Sequence, residues 1–380
     1  MGRFRRGGKI GWKFTRGRWP AFFGAAAFAA VWLAGCAGGQ PTVVLYSDLD
    51  QSVVEPLLAS FRQDNPIVVK VVYADPKMVA SGAGLSDQIR DESEAPQADL
   101  YWAGGPQAAQ KLAELGLLEA SRNTFTSPTA APFVDESFFW TGLGGRVRVL
   151  IYNTARFKGK KPPISLAASG LPEWKGRAAW ADPRKNADSN YHLLNYFAAY
   201  GPDDGTHLLE KFKANAVQLL PDENAVIEAV SSGAADWGVT DSDLATAAVT
   251  AKKTVDYLVP DQADFSTSDA LSQIRGVGFP TLGTVALPMP LCLIARRKHS
   301  QESGKLQQYL LAPQTALHLA QDHPTLLMTR AGMQNDKPGK DAGHLTHPDK
   351  LRFTAPGTDK LKEMRAQLTL ALSHIFGDAP

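Results

Sequence analysis

The sequence predicts a two-lobed α/β protein, and three observations carry the prediction. Strand-like and helix-like segments alternate three times over residues 43–116, the pattern of a parallel sheet flanked by helices. The 380 residues exceed what a single hydrophobic core usually organises. Two further apolar segments, Arg146 to Asn153 and Val255 to Val259, are placed to carry the chain from one lobe to the other and back.

The first strand is the apolar run Val43-Val44-Leu45-Tyr46-Ser47, suited to burial on both faces. Ser52-Val53-Val54-Glu55 has capping-box spacing. The helix that follows places Val53, Val54, Leu57, Leu58 and Phe61 on one face, with Pro56 near its start. A strand over Val68 to Tyr73 precedes a polar helix over about Lys77 to Ser93. The third strand, Asp99 to Trp102, runs into Gly104-Gly105-Pro106 and a helix ending near Gly116. Beyond residue 146 the spacing predicts a strand to Asp182, helices over 190–200, 203–214 and 223–232, and a strand over 235–240 leading into a helix. Thr284 to Ala295 reads as strand, demoted to an edge or bent position by Pro288 and Pro290. Helices over 301–311 and 358–376 close the chain, with a polar loop over 332–357 between them.

Charge separates a leader from the rest. Seven of the 40 basic residues lie in residues 1–35, which hold no acidic ones, leaving 33 basic against 38 acidic side chains beyond them. That balance argues against nucleic acid as a partner. The basic start is followed by the apolar run Ala21 to Ala34, too short to span a membrane comfortably, which takes about 20 residues. The run ends in Leu33-Ala34-Gly35-Cys36, which resembles a bacterial lipobox with Cys36 as the lipidated first residue of the mature protein. With only two cysteines in the chain, a disulfide scaffold is excluded, and Cys292 reads as a buried, inert thiol. The resulting division is a signal peptide over 1–35, a lipid-anchored tether over 36–41, a first lobe over 42–146 and 260–312, and a second over 147–259 and 313–380.

Ligands of parallel α/β lobes gather where strand C-termini meet helix N-termini, since free backbone N–H groups point outward there. Four such turns stand out: Ser47-Asp48-Leu49-Asp50; Gly104-Gly105; Ser189-Asn190-Tyr191-His192; and Thr240-Asp241-Ser242-Asp243. Each serves equally as helix capping or as ligand contact. Arg146 and Arg148 share a strand face at the expected hinge, where a guanidinium either forks onto a carboxylate or phosphate of the ligand or bridges the lobes. No GxSxG, Walker, GxGxxG or HExxH pattern is present, so an enzyme is not expected, and no cofactor or resident metal.

The stretches VVLYSDLDQSVVEPLLASF, ADLYWAGGPQAAQKLAELGLLE, GRVRVLIYNT, LPEWKGRAAWADP and SGAADWGVTDSDLAT, in that order, resemble the substrate-binding lipoproteins of ABC importers, of the ferric-iron-type periplasmic binding proteins. The resemblance covers most of the mature chain. It implies the type II periplasmic binding protein fold with a hinged ligand cleft, a monomer anchored at the cell envelope, and an ABC permease as partner. Ferric binders of this family hold iron with adjacent tyrosines, often with a histidine and a glutamate. Here those positions align with Ser242-Asp243, near Asp50 and near Gly104, and no Tyr-Tyr pair occurs. The expected ligand is therefore a small polar, anionic organic molecule such as a sugar phosphate or phosphonate, contacted by Ser47, Asp48, Asp50, Gly104, Gly105, Arg146, Ser189, Asn190, His192, Thr240, Asp241 and Asp243. The alternatives are ferric iron or an iron chelate, or a ligand-sensing receptor partner without transport.

Overall fold

The computed structural model describes residues 40–80, 84–122, 131–260, 283–323, 325–326 and 351–378. The leader, Cys36 and most of the tether, and residues 332–350 of the expected polar loop lie outside the described residues.

The first half of the fold is built from β1 (Thr42–Ser47), α1 (Gln51–Asp64), β2 (Val68–Tyr73), α2 (Pro76–Ala80), α3 (Ser86–Asp91), β3 (Leu100–Trp102), α4 (Pro106–Glu114) and the short β4 (Leu118–Glu119). Strands β2, β1 and β3 lie parallel and adjacent. Val54, Leu57, Leu58 and Phe61 of α1 are buried against them, as the helical spacing predicts. The helix starts at Gln51, one residue ahead of the anticipated Ser52 cap, and keeps Pro56 in its interior. The helix expected over 77–93 is broken. Gly84 adopts φ +48°, and the Leu85 N–H donates to the Asp48 carboxylate at 2.9 Å, so the chain turns toward the end of β1 between α2 and α3.

The chain then enters β5 (Trp140–Asn153), whose first part pairs antiparallel with β10 (Thr284–Ile294) and whose last part pairs with β8 (Trp237–Asp241) and β9 (Val255–Leu258). The second half adds β6 (Ala178–Ala181), α5 (Ala187–Tyr200), α6 (Pro202–Ala214), β7 (Gln218–Leu220), α7 (Glu223–Ser232) and α8 (Ser242–Thr250). Its parallel strands run in the order β8, β6, β7. The path across the mixed sheet is β2-β1-β3-β10-β5-β8-β6-β7, and β11 (Phe353–Thr354) pairs with β10.

The crossing strands are β5 and β10, not residues 255–260, because β9 pairs with the far end of β5 and its Val255 and Tyr257 join the second half's core. Strand β10 is also not an edge. All of it is buried, with Leu291 and Leu293 in the core of the first half and Val285 and Leu287 in that of the second. Its prolines are accommodated by a register shift between Pro288 and Pro290, opposite Gly145 and Gly142 of β5. A side chain at Gly145 would meet the Leu287 carbonyl at 2.9 Å and the Pro288 Cα at 3.1 Å, so glycine here permits the close approach of the two crossing strands. Cys292 on β10 is fully buried, as expected of an inert thiol, and burial pushes its pKa up.

Three helices finish the described chain: α9 (Ser300–Leu310), α10 (Pro313–Asp322) and α11 (Thr358–Phe376). Helix α11 packs on α5 and α6 through Leu361, Met364 and Leu368. Helix α10 departs from the sequence division, which assigned 313–380 to the second lobe: its Ala316, Leu319 and Ala320 are buried with α1 in the first half.

Candidate functional site

The second half of the sheet directs three helix N-termini toward β5, and each carries an acidic residue in its first turn: Asp188 on α5, Glu223 on α7 and Asp243 on α8. Carboxylates are favoured at that end of a helix, where unpaired N–H groups leave partial positive charge. Asn186 caps α5 by accepting from the Ser189 N–H at 2.8 Å, and Asp222 caps α7 by accepting from Ala225 N–H at 2.8 Å. Asp241 ends β8 and precedes α8 without capping it, because its carboxylate is engaged elsewhere.

That engagement is with the arginines of β5. Arg148 pairs in register with Asp241 and is entirely buried. Its Nη1 donates to Asp241 Oδ1 at 2.5 Å and to Glu223 Oε1 at 2.7 Å, and its Nη2 donates to Ser189 Oγ at 3.1 Å. Arg146, two residues earlier on the same strand face, donates from Nη2 to Asp188 Oδ2 at 2.8 Å and from Nε to Asp241 Oδ2 at 3.3 Å. Its Nη1 donates to the Gly104 carbonyl at 3.1 Å, which ties the second half of the fold to the β3–α4 turn of the first. Its ion pairs thus lie within the second half, and its contact with the first is a hydrogen bond to a backbone carbonyl.

Above this network lies a cleft of about 410 Å³. Its wall carries Asp48 and Asp50 from the first half, Asp188, Asp222, Glu223, Asp241 and Asp243 from the second, and Arg146 between them. Val53, Leu244 and Met289 supply apolar surface. Seven acidic residues therefore share the wall with one arginine and with His323. Asp48 accepts from Tyr101 Oη, from Leu85 N–H at 2.9 Å and from Gly104 N–H at 3.2 Å, and burial pushes its pKa up against these hydrogen bonds.

The network holds four carboxyl groups, Asp188, Glu223, Asp241 and Asp243, against the two guanidiniums of Arg146 and Arg148. Burial pushes Asp188 up to about 6 and Glu223 up to about 7, with Arg146 and Arg148 respectively opposing the rise and Asp241 adding to it. Burial also raises Asp243, whereas for Asp241 the effect of burial is overcome by Arg148 and Arg146, which hold it below the ordinary carboxylate range. Among the described residues no three His, Cys, Asp or Glu side chains stand together as a metal cage, because the carboxylates are spread over guanidiniums.

Of the residues singled out from sequence, Asp48, Asp50, Gly104, Arg146, Asp241 and Asp243 line this cleft, and Gly105 lines a smaller adjoining cavity beside Arg146. The others do not reach it. Ser47 Oγ is occupied by its own turn, accepting from Leu49 N–H at 3.0 Å. Thr240, one residue before Asp241 on β8, points to the opposite face and is fully buried. Ser189 lies beneath the cleft between Arg148 and Glu223, and Asn190 donates to the Pro183 carbonyl at 2.9 Å. His192 packs against the Trp180 ring with centroids 5.4 Å apart, and burial, with Arg148 nearby, depresses its pKa. Ser242, at the position aligned with a family tyrosine, is buried and accepts from Val147 N–H at 3.1 Å. Asp188, Asp222 and Glu223 were missed. Their signal is the residue just before each helix, Asn186 and Asp222, whose capping role puts the next acidic residue in the first turn.

The raised carboxyl groups set a pH dependence. Asp188 and Glu223 bind protons more tightly folded than unfolded, where such groups titrate near about 3.9 and 4.3. Their contribution to stability is therefore full below about pH 4 and is lost as pH rises through the folded values of about 6 and 7. Glu223→Gln removes one of these titrations. In urea unfolding, the variant should lose less stability than the parent between about pH 5 and pH 8; equal losses would show that Glu223 does not titrate there.

Residues 42–322 match the model of the bacterial extracellular solute-binding protein family. A stretch of 142 residues, 37% of this chain, is 26% identical to the major ferric iron-binding protein of Neisseria meningitidis and spans 41% of that relative's length. Among solved structures, iron-bound HitA from Pseudomonas aeruginosa superposes with a TM-score of 0.67 at 18% identity, covering 88% of this chain and 99% of that one. The Trichodesmium protein IdiA (FutA), in complex with iron and citrate ligands, gives 0.71 at 16% identity over 88% and 99% of the two chains. At such identities the likeness establishes the α/β periplasmic binding protein fold. By the family model, which covers most of its length, the chain belongs to the bacterial extracellular solute-binding proteins.

Proposed function

We propose that this protein is the solute-binding component of an ABC-type importer and that its cargo is ferric iron, taken as the cation from a chelate and held by carboxylate oxygens. One observation carries the reading: seven acidic residues share the cleft wall with one arginine and with His323. An anionic ligand, the first expectation from sequence, would meet the negative charge of these carboxylates. Arg146 already serves Asp188 and Asp241, and the hydroxyls of Ser47 and Ser189 are bonded within the fold. A cation meets the opposite conditions. Fe(III) is a hard ion that favours oxygen donors, and carboxylates provide them where the family's adjacent tyrosines are replaced by Ser242-Asp243. The names of the relatives, ferric iron-binding proteins, favour the same cargo.

In this reading the two halves of the fold are lobes hinged along β5 and β10, closing on the cleft and presenting the loaded receptor to a membrane permease. The lipid on Cys36 holds the receptor at the cell envelope, each buried CH₂ contributing about 0.8 kcal/mol. No described helix is long and apolar enough to cross a membrane.

Two measurements test the proposal. Calorimetry with ferric citrate should give saturable heat, weakened about tenfold or more by Asp243→Asn. Saturable binding of a sugar phosphate, a phosphonate or putrescine, with none of ferric citrate, would replace the iron reading. Mass spectrometry of the protein exported in a bacterial host should find an N-terminus at Cys36 bearing a diacylglyceryl group, lost in Cys36→Ser together with membrane association. A mature chain starting elsewhere, or an unmodified Cys36, contradicts the anchor.

A further inference from the structure

The guanidinium of Arg146 stands where a cationic cargo has to sit. It donates to the Gly104 carbonyl on one side of the cleft and to Asp188 and Asp241 on the other, and its Nε lies 4.0 Å from Asp243 Oδ1. Unlike Arg148, which is fully buried, its side chain keeps 14% of its surface exposed to the cleft. A cavity of about 70 Å³ adjoins it, lined by Asp48, Gly105, Gln107 and Asp188 among others, and gives the guanidinium a place to retreat beside acceptors. The carboxylates are not saturated by it. Glu223 is 94% buried, yet its Oε2 has no hydrogen-bond partner, and Asp243 Oδ1 is likewise unmatched.

We propose that Arg146 is the resident counter-cation of the cargo site and determines its specificity: cargo enters by displacing this guanidinium from Asp241 and Asp243. The inference rests on the cleft being a cation site. Attraction to a fixed set of carboxylates scales with the charge of the incoming ion. A monovalent cation replaces one unit of charge with another and gains little, while it competes with a guanidinium tethered at high effective concentration. A multivalent cation gains more than it displaces. Arg146 thereby excludes simple monovalent amines from a cleft whose carboxylates would otherwise accept them, and it links the two halves of the fold while no cargo is bound.

The test compares the full mature protein with Arg146→Gln, Arg146→Met and Arg146→Lys, using ferric citrate and propylammonium as probes. Both neutral variants should bind ferric citrate about tenfold more tightly, as expected when a competing state that dominates the free protein is removed. They should also gain propylammonium binding that the parent lacks, and cargo-free they should show a larger scattering radius. Arg146→Lys, which keeps the charge, should restore the exclusion of propylammonium. If the parent binds ferric citrate and the neutral variants bind it no better and still refuse propylammonium, the role of Arg146 is overturned while the cargo reading stands. If neither parent nor neutral variants take iron from ferric citrate or bind propylammonium, the cargo reading itself fails and takes this inference with it.

Discussion

A guanidinium buried beneath the cleft organises the second half of this protein. Arg148 emerges from β5 into a site without solvent, and such a charge is tolerated only when carboxylates and hydrogen bonds replace the water it has lost. Glu223, Asp241 and Ser189 do so. They come from the start of α7, the end of β8 and the start of α5, so satisfying one side chain fixes three chain segments relative to the strand that crosses the fold. Removing the guanidinium alone leaves the buried Glu223 without a cation and Asp241 with Arg146 only, the costlier direction of imbalance in such a network.

The same arrangement determines the character of the cleft. Helix N-termini are ordinarily places where anions bind, because their N–H groups point outward with partial positive charge. Here each of the three is already answered by a carboxylate of its own first turn, Asp188, Glu223 and Asp243. The helix ends thus deliver negative charge to the cleft, and the two arginines do not neutralise it. Burial raises the proton affinity of Asp188 and Glu223, and the neighbouring Asp241 carboxylate adds to the rise.

Much of the architecture was legible because its signals are local. The apolar runs of β1 and β2, the face of α1 and the positions of α5 to α8 follow from periodicity and from small polar caps. Strand β10 was misjudged because Pro288 and Pro290 argue for an edge, while the glycines of β5 that admit them lie far away in sequence. The break between α2 and α3 depends on Asp48, likewise remote. At the site, Asp48, Asp50, Gly104, Arg146, Asp241 and Asp243 of the expected set line the cleft, while other residues of the same turns do not. Helix α5 begins at Ala187, so Asp188 takes the place facing the cleft, while Ser189 sits below it and His192 lies one turn deeper against Trp180. The sign of the cleft was not legible, since it depends on Glu223 and Asp188 meeting Arg146 and Arg148 across separate elements.

The central claim is that the cleft receives positive charge. A crystal structure of the protein grown with ferric citrate, with diffraction collected on both sides of the iron absorption edge, tests it most directly. An anomalous iron peak is expected at coordination distance from oxygens of Asp241, Asp243 or Glu223, with the Arg146 guanidinium withdrawn from Asp241. A cleft without iron, holding an anion on the amides of Gly104 and Gly105 with Arg146 turned onto it, would contradict it.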